Sequence, residues 1–175
     1  MKIALNFKQD DAYVPDGVEQ EKAIERDVLA RKPDVVTVEF GGNDATDVPN
    51  RHVDLAEFGQ NLSSIVTRVR SVSPDAAIIM LTFPPVIDSR HSRGTMHGGL
   101  DRYVEQYRES VRTFASSRGL RLVDTDAAIR PRAEQLILPD GVHLTAEGNQ
   151  AIADAVFPAV RDALGIPDGD AVLKP

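Results

Sequence analysis

Asp140-Gly141-Val142-His143 places a carboxylate three residues before an imidazole. Within one turn, that spacing brings the carboxylate to the ring's Nδ1. It then fixes the tautomer and leaves Nε2 free as a general base. Taken alone, the pattern reads more readily as a turn capped by Asp140 beside a surface histidine, since such pairs are frequent by chance. A second cluster, Gly41-Gly42-Asn43-Asp44, follows an apolar stretch. Its glycines let the backbone approach a ligand closely, and the Asn43 amide can donate to a developing oxyanion. Asp44 can cap the turn, and an ordinary strand-to-helix turn has the same composition.

The elements that must position these clusters alternate between short apolar runs and helical periodicity, which points to an α/β fold with a mostly parallel sheet. Lys2 to Phe7 is a candidate first strand, and Val18 to Arg31 a weak amphipathic helix ended by Pro33-Asp34. Val35 to Phe40, β-branched and bounded by Gly41-Gly42, predicts a strand. Leu55, Phe58, Leu62, Ile65, Val66, Val69 and Val72 share one helical face. Ala76 to Phe83, stopped by Pro84-Pro85, predicts a strand buried on both faces. A long polar loop is expected over Val86 to Gly99, then a helix through Leu100, Val104, Tyr107, Val111 and Phe114. Leu120 to Val123 is a short strand, followed by a loop through Pro131 and Pro139. Thr145 can cap a last helix carrying Ile152, Val156, Val160 and Leu164 inward. One domain over residues 1–165 and a tail over 166–175 are expected. In such folds ligands sit beyond the carboxyl ends of the strands, where both clusters fall.

Composition narrows the function classes. A net charge of −7 and a pI near 5.1 argue against nucleic acid or an anionic membrane surface as partner. Cysteine is absent, which excludes disulfides and thiolate catalysis. The apolar run after Lys2 is too short for a signal peptide, so a soluble, cytoplasmic domain is expected.

Jointly the clusters say more. Phe40-Gly41-Gly42-Asn43-Asp44 after Pro33-Asp34-Val35-Val36, and then Leu138-Pro139-Asp140-Gly141-Val142-His143-Leu144-Thr145, resemble the third and fifth motif blocks of the GDSL/SGNH hydrolase family. His52-Val53-Asp54-Leu55, Asn61-Leu62 and Thr82-Phe83-Pro84-Pro85-Val86 resemble its isoamyl-acetate-hydrolysing subgroup. The resemblance runs from about Ile24 to Val160. It implies a flavodoxin-like three-layer α/β/α sandwich that hydrolyses esters of small acyl groups or acetylated sugars, with no cofactor and no metal. It also implies that His143 is the general base, Asp140 its orienting partner and Asn43 an oxyanion donor, with Gly42 and Asp44 beside it.

The family's first block, a Gly-Asp-Ser after strand one, has no counterpart in these residues, nor does the oxyanion glycine of its second block. The nine serines, Ser63, Ser64, Ser71, Ser73, Ser89, Ser92, Ser110, Ser116 and Ser117, are never preceded by Gly-Asp. Three readings stay open: an upstream segment supplies the serine, the domain binds without hydrolysing, or the dyad activates water directly. With the first strand–helix unit absent, Lys2 to Phe7 is expected to slide into the central slot beside Val35 to Phe40, because an unpaired buried strand edge is costly. Asn6, Lys8 and Asp10 would then emerge near His143. An edge left open would favour a homodimer.

Other side chains invite expectations. His91 and His97 read as exposed loop residues, and Arg90, Arg93 and Met96 as a border on the acyl or alcohol side of a pocket. His52 is expected to cap or orient the following helix, and Tyr103 and Tyr107 to be core. Glu39 is odd in a buried strand; a polar neighbour in the sheet or a subunit partner would explain it.

Overall fold

The computed structural model describes residues 3–4, 24–48 and 51–167. Four parallel strands, β1 (Ile3–Ala4), β2 (Val35–Glu39), β3 (Ala77–Leu81) and β4 (Arg121–Val123), lie in the order β1-β2-β3-β4. Val35 pairs with Ala77 and Glu39 with Leu81, so β2 and β3 end level. Ile79 to Leu81 pair with Arg121 to Val123. Ile3 and Ala4 pair with Val35 and Val36, so the place beside β2 is filled, as expected. Among the described residues no strand lies beyond β1, which is therefore the outer strand of four rather than a central one. Asn6, Lys8 and Asp10 lie outside the described residues, as do most of the expected Lys2 to Phe7 strand, the first part of the Val18 to Arg31 helix, and residues 168–175 of the tail.

The α1 turn (residues 24–27) and a 3-10 turn at Leu29–Arg31 lead into β2. Two long helices follow, α2 (Leu55–Val72) and α3 (Leu100–Arg118). Alternation along the strands decides what each face meets. Val36, Val38, Ile78 and Met80 face α2 and α3, packing on Phe58, Leu62, Val66, Val104, Tyr107 and Val111. Val35, Ile79 and Leu81 point the other way, to Val156, Ala159 and Val160 of α6 (Ala146–Ala163). The result is three layers, α/β/α. Ile79 and Val35 are fully buried in it, and each such side chain stabilises the fold by roughly 1.5–3 kcal/mol.

The expected loop from β4 to Asp140 is instead built of short helices: α4 (Thr125–Ile129), a 3-10 turn at Arg130–Arg132, and α5 (Ala133–Leu136). Asp124 starts α4 by accepting the N–H of Ala127 at 3.1 Å, and Pro131 sits early in the next turn, where no N–H is needed. Ile129, Leu136 and Ile137 of this stretch bury a separate small core with Ile87, against Leu144 and Ile152. That core lies under the Asp140 turn. No helix among the described residues is long and apolar enough to cross a membrane.

Candidate active site

The turn after β2 is tied by its own side chain. Asp44 accepts the N–H of Gly41 through Oδ2 at 3.0 Å, while Ala45 N–H reaches Gly41 O and Thr46 N–H reaches Asn43 O. Burial pushes the Asp44 carboxyl above its ordinary range, a shift partly offset by the Gly41 N–H. Gly42 is small for a packing reason: a Cβ there would lie 2.4 Å from the Phe83 ring. Behind the turn, Tyr107 is buried and its hydroxyl donates to Val53 O at 2.7 Å. Burial raises this phenol well above its usual range, so it stays a donor. Val53 N–H in turn donates to Asp44 O at 3.1 Å. The side chain of Asn43 makes no hydrogen bond to a described residue and lines a cleft.

The second turn is closed by an antiparallel bridge between Ile137 and Leu144, with Leu138 N–H donating to His143 O at 2.7 Å. Thr145 caps α6, as expected, by accepting Gly148 N–H at 3.0 Å. Gly141 takes φ +82°, and a Cβ on it would stand 2.7 Å from Ile87 O and 2.9 Å from His91 N. Its own carbonyl accepts Ile87 N–H at 2.8 Å, which joins this turn to the segment after β3. Arg90 reinforces the joint through Nη1 to Ile137 O at 3.1 Å and an ion pair with Glu134.

Within the turn, His143 Nδ1 lies 2.7 Å from Asp140 Oδ2. Asp140 Oδ1 accepts the N–H groups of Val142 and His143 at 2.9 and 3.0 Å. Those bonds, led by Val142 and joined by the imidazole, lower the carboxyl to about 2. It is therefore an anion at neutral pH, suited to accept a hydrogen bond from Nδ1–H. Nε2 is left without a bond to any described residue, and the ring is 57% exposed.

Asn43, Asp140 and His143 line one cleft of about 440 Å³, with Phe83, Val86 and Leu144 among its walls. Gly42 and Asp44 border it too. Of the loop residues, Arg93 and Met96 line it as expected, whereas Arg90 supports the Asp140 turn from behind. His91 is half-buried and lines the cleft rather than standing free in solvent. His97 is exposed and stacks on Tyr103 with centroids 4.0 Å apart. His52 does not cap α2: Asp54 does, accepting Glu57 N–H at 2.8 Å, while His52 Nδ1 meets Thr46 O. Glu39, buried at the end of β2, reaches the cleft. Arg51, to which no pattern drew attention, lines it as well. None of the nine serines is among the lining residues; Ser89 and Ser92 are exposed elsewhere on the loop.

Comparison with known proteins reaches the same stretches. The chain is 29% identical over 140 residues to the isoamyl acetate-hydrolyzing esterase 1 homolog of Bos taurus, covering 74% of this chain and 56% of that protein. It is 27% identical over 143 residues to the GDSL esterase/lipase WDL1 of Oryza sativa subsp. japonica, covering 75% and 55%. The chain thus spans about half the length of the curated relatives it matches. A solved catalytic mutant of Axe2, an acetylxylan esterase from Geobacillus stearothermophilus, superposes with a TM-score of 0.64 at 26% identity, covering 86% of this chain and 68% of that one. The lipase/acylhydrolase from Enterococcus faecalis, at 20% identity and a TM-score of 0.70 over 83% and 70% of the two chains, shares the fold. The model of the GDSL-like Lipase/Acylhydrolase family matches residues 11–151, which takes in both turns and strands β2 to β4. On the strength of that match, this chain belongs to the GDSL-like lipase/acylhydrolase family.

Proposed function

We propose that this chain carries the acid–base and oxyanion half of a carboxylic-ester hydrolase site for small acyl esters or acetylated sugars, working in the cytoplasm. The observation that carries the reading is the 2.7 Å contact of His143 Nδ1 with Asp140, in the cleft that also receives the Asn43 amide. Asp140 holds the tautomer, Nε2 takes the proton of the attacking hydroxyl, and Asn43 donates to the oxygen that gains charge. Catalytic mutants of the acetylxylan esterase replace a serine, an aspartate and a histidine, the last two three positions apart, like Asp140 and His143.

The attacking hydroxyl is the open element, because no serine lines the cleft. A serine contributed from outside these residues, or water activated by His143, would complete the reaction. The same observation favours a second reading, a domain that binds esters in this cleft and does not cleave them. Hydrolysis of p-nitrophenyl acetate by these 175 residues separates the readings. Slow turnover that His143→Ala reduces about a hundredfold supports general-base catalysis. Turnover equal in the two proteins would exclude it, and ester binding without any turnover supports the second reading.

A further inference from the structure

The cleft carries charge of both signs, and the two signs are held differently. Its three carboxylates are engaged or sunk: Asp140 by His143 and two N–H groups, Asp44 by the N–H of Gly41, and Glu39 buried in β2. Its two guanidiniums are held more loosely. Arg93 crosses from the loop after β3 to the turn after β2, where Nη1 donates to Thr46 Oγ1 at 3.2 Å. Its nearest carboxylate, Asp47, stands 3.9 Å from Nε, in an exposed pair that contributes little. His91 Nδ1 accepts the backbone N–H of Arg93 at 3.2 Å and steadies this crossing. Arg51 is half-buried on the same cleft, and its guanidinium has no hydrogen bond and no carboxylate in ion-pair reach among the described residues.

A guanidinium offers five N–H donors in a planar fork that fits carboxylate and phosphate oxygens two at a time. A partly desolvated cation with no counter-charge is costly unless an anion arrives to meet it. Arg51 is such a group, and Arg93, only weakly paired with Asp47, stands on the same cleft wall; in a chain whose net charge is −7 the two oppose the overall field. We infer that this cleft takes esters that bear an oxyanion group, carboxylate or phosphate, which Arg51 and Arg93 receive while the ester lies toward Asn43 and His143. The inference rests on reading this cleft as the ester site.

Amide NMR titration of the 175-residue chain tests it without relying on turnover. The probes are monomethyl succinate, its neutral counterpart dimethyl succinate, and the acetate ester of glycerol phosphate. The expected result is about tenfold tighter binding of an anionic ester than of the neutral one, with shifts at Gly41 to Asp44. The preference should weaken at high salt and vanish in R51Q/R93Q, whose thermal melt should match that of the parent because both side chains reach solvent. Whichever anionic ester binds more tightly identifies the oxyanion. Equal or tighter binding of dimethyl succinate would overturn the inference. So would a preference that survives in R51Q/R93Q, or no binding of either anionic ester by a folded sample. An anion preference in a protein lacking His143-dependent turnover would retain this inference and sink the hydrolase reading; turnover without the preference would do the reverse.

Discussion

Asp140 holds His143 at two points, its Oδ2 at Nδ1 of the ring and its Oδ1 at the histidine's own backbone N–H. One carboxylate therefore sets both where the residue sits and which nitrogen carries the proton. A two-point grip leaves the ring little freedom even though more than half of its surface meets solvent.

Asp140→Asn separates the two functions. The amide oxygen can still accept the backbone N–H groups, but its NH2 opposes a protonated Nδ1. The imidazole should shift toward the other tautomer, visible in the nitrogen shifts of the ring above pH 8. Any His143-dependent turnover should fall about 10⁴-fold, the scale known for a wrong-tautomer histidine. An unchanged tautomer would show that Asp140 does not orient the ring.

The depressed carboxyl also sets a pH window. Asp140 loses its proton far more readily in the fold than the ordinary value of 3.8 would allow, so its bonds support the turn above that value. Support should vanish as pH falls from about 4 through about 2. Amide exchange at Val142 and His143 should accelerate over that interval, well before the sheet amides respond. Loss already at pH 6 would place the control elsewhere.

Asp44 works with the opposite sign. Its carboxyl is raised by burial, so the folded chain holds the proton more tightly than the unfolded one. Ionisation above the raised value costs stability, and acidification toward 3.8 relieves that cost. Asp44→Asn keeps an acceptor for Gly41 N–H without the charge. Thermal melts should show it as stable as the parent or more so at neutral pH, with the difference closing near pH 4. A loss above about 1 kcal/mol at neutral pH would mean that the charge itself holds the turn.

Arg108 is buried with its whole guanidinium engaged. It donates to Phe83 O and Pro84 O at 2.8 and 2.9 Å and pairs with Asp101, Glu105 and Asp126. Arg108→Ala should cost about 1–3 kcal/mol in urea unfolding for each of the Phe83 and Pro84 carbonyls it leaves without this donor, while Asp101 and Asp126 keep their pairs with Arg130. Arg108→Lys should recover only part, since an ammonium cannot span these partners.

Much of this scaffold was legible from periodicity. Phe58, Leu62, Val66 and Val69 bury the face their spacing marks, whereas Leu55 of the same stripe stays 40% exposed because it starts α2, before the helix meets the core. The strands at Val35 and Ala77 were legible because both faces are apolar. The short helices between β4 and Asp140 were not: four- and five-residue helices hold too few apolar positions to show a period. Asn43, Asp140 and His143, singled out by spacing, line one cleft. Glu39 and Arg51 flank the Gly41 turn in sequence but belong to no motif, and His91 comes to the same cleft through a contact distant in sequence, which spacing cannot reveal. Arg108 was overlooked for a related reason. A charged residue on an amphipathic helix reads as solvated until partners from its own helix, from Phe83-Pro84 and from α4 close around it.

Tyr107 and Arg108 are neighbours on α3, and they grip opposite sides of the cleft, one beside Gly41 and the other beneath Phe83 and Pro84. Adjacent helical residues point about 100° apart, so a single residue step of backbone acts as a gauge block between the two jaws. A shift of this helix along its axis would move both jaws together and leave their gap unchanged. Inserting one residue ahead of Tyr107 would swing each side chain onto its neighbour's bearing, and the jaws would lose their common reference.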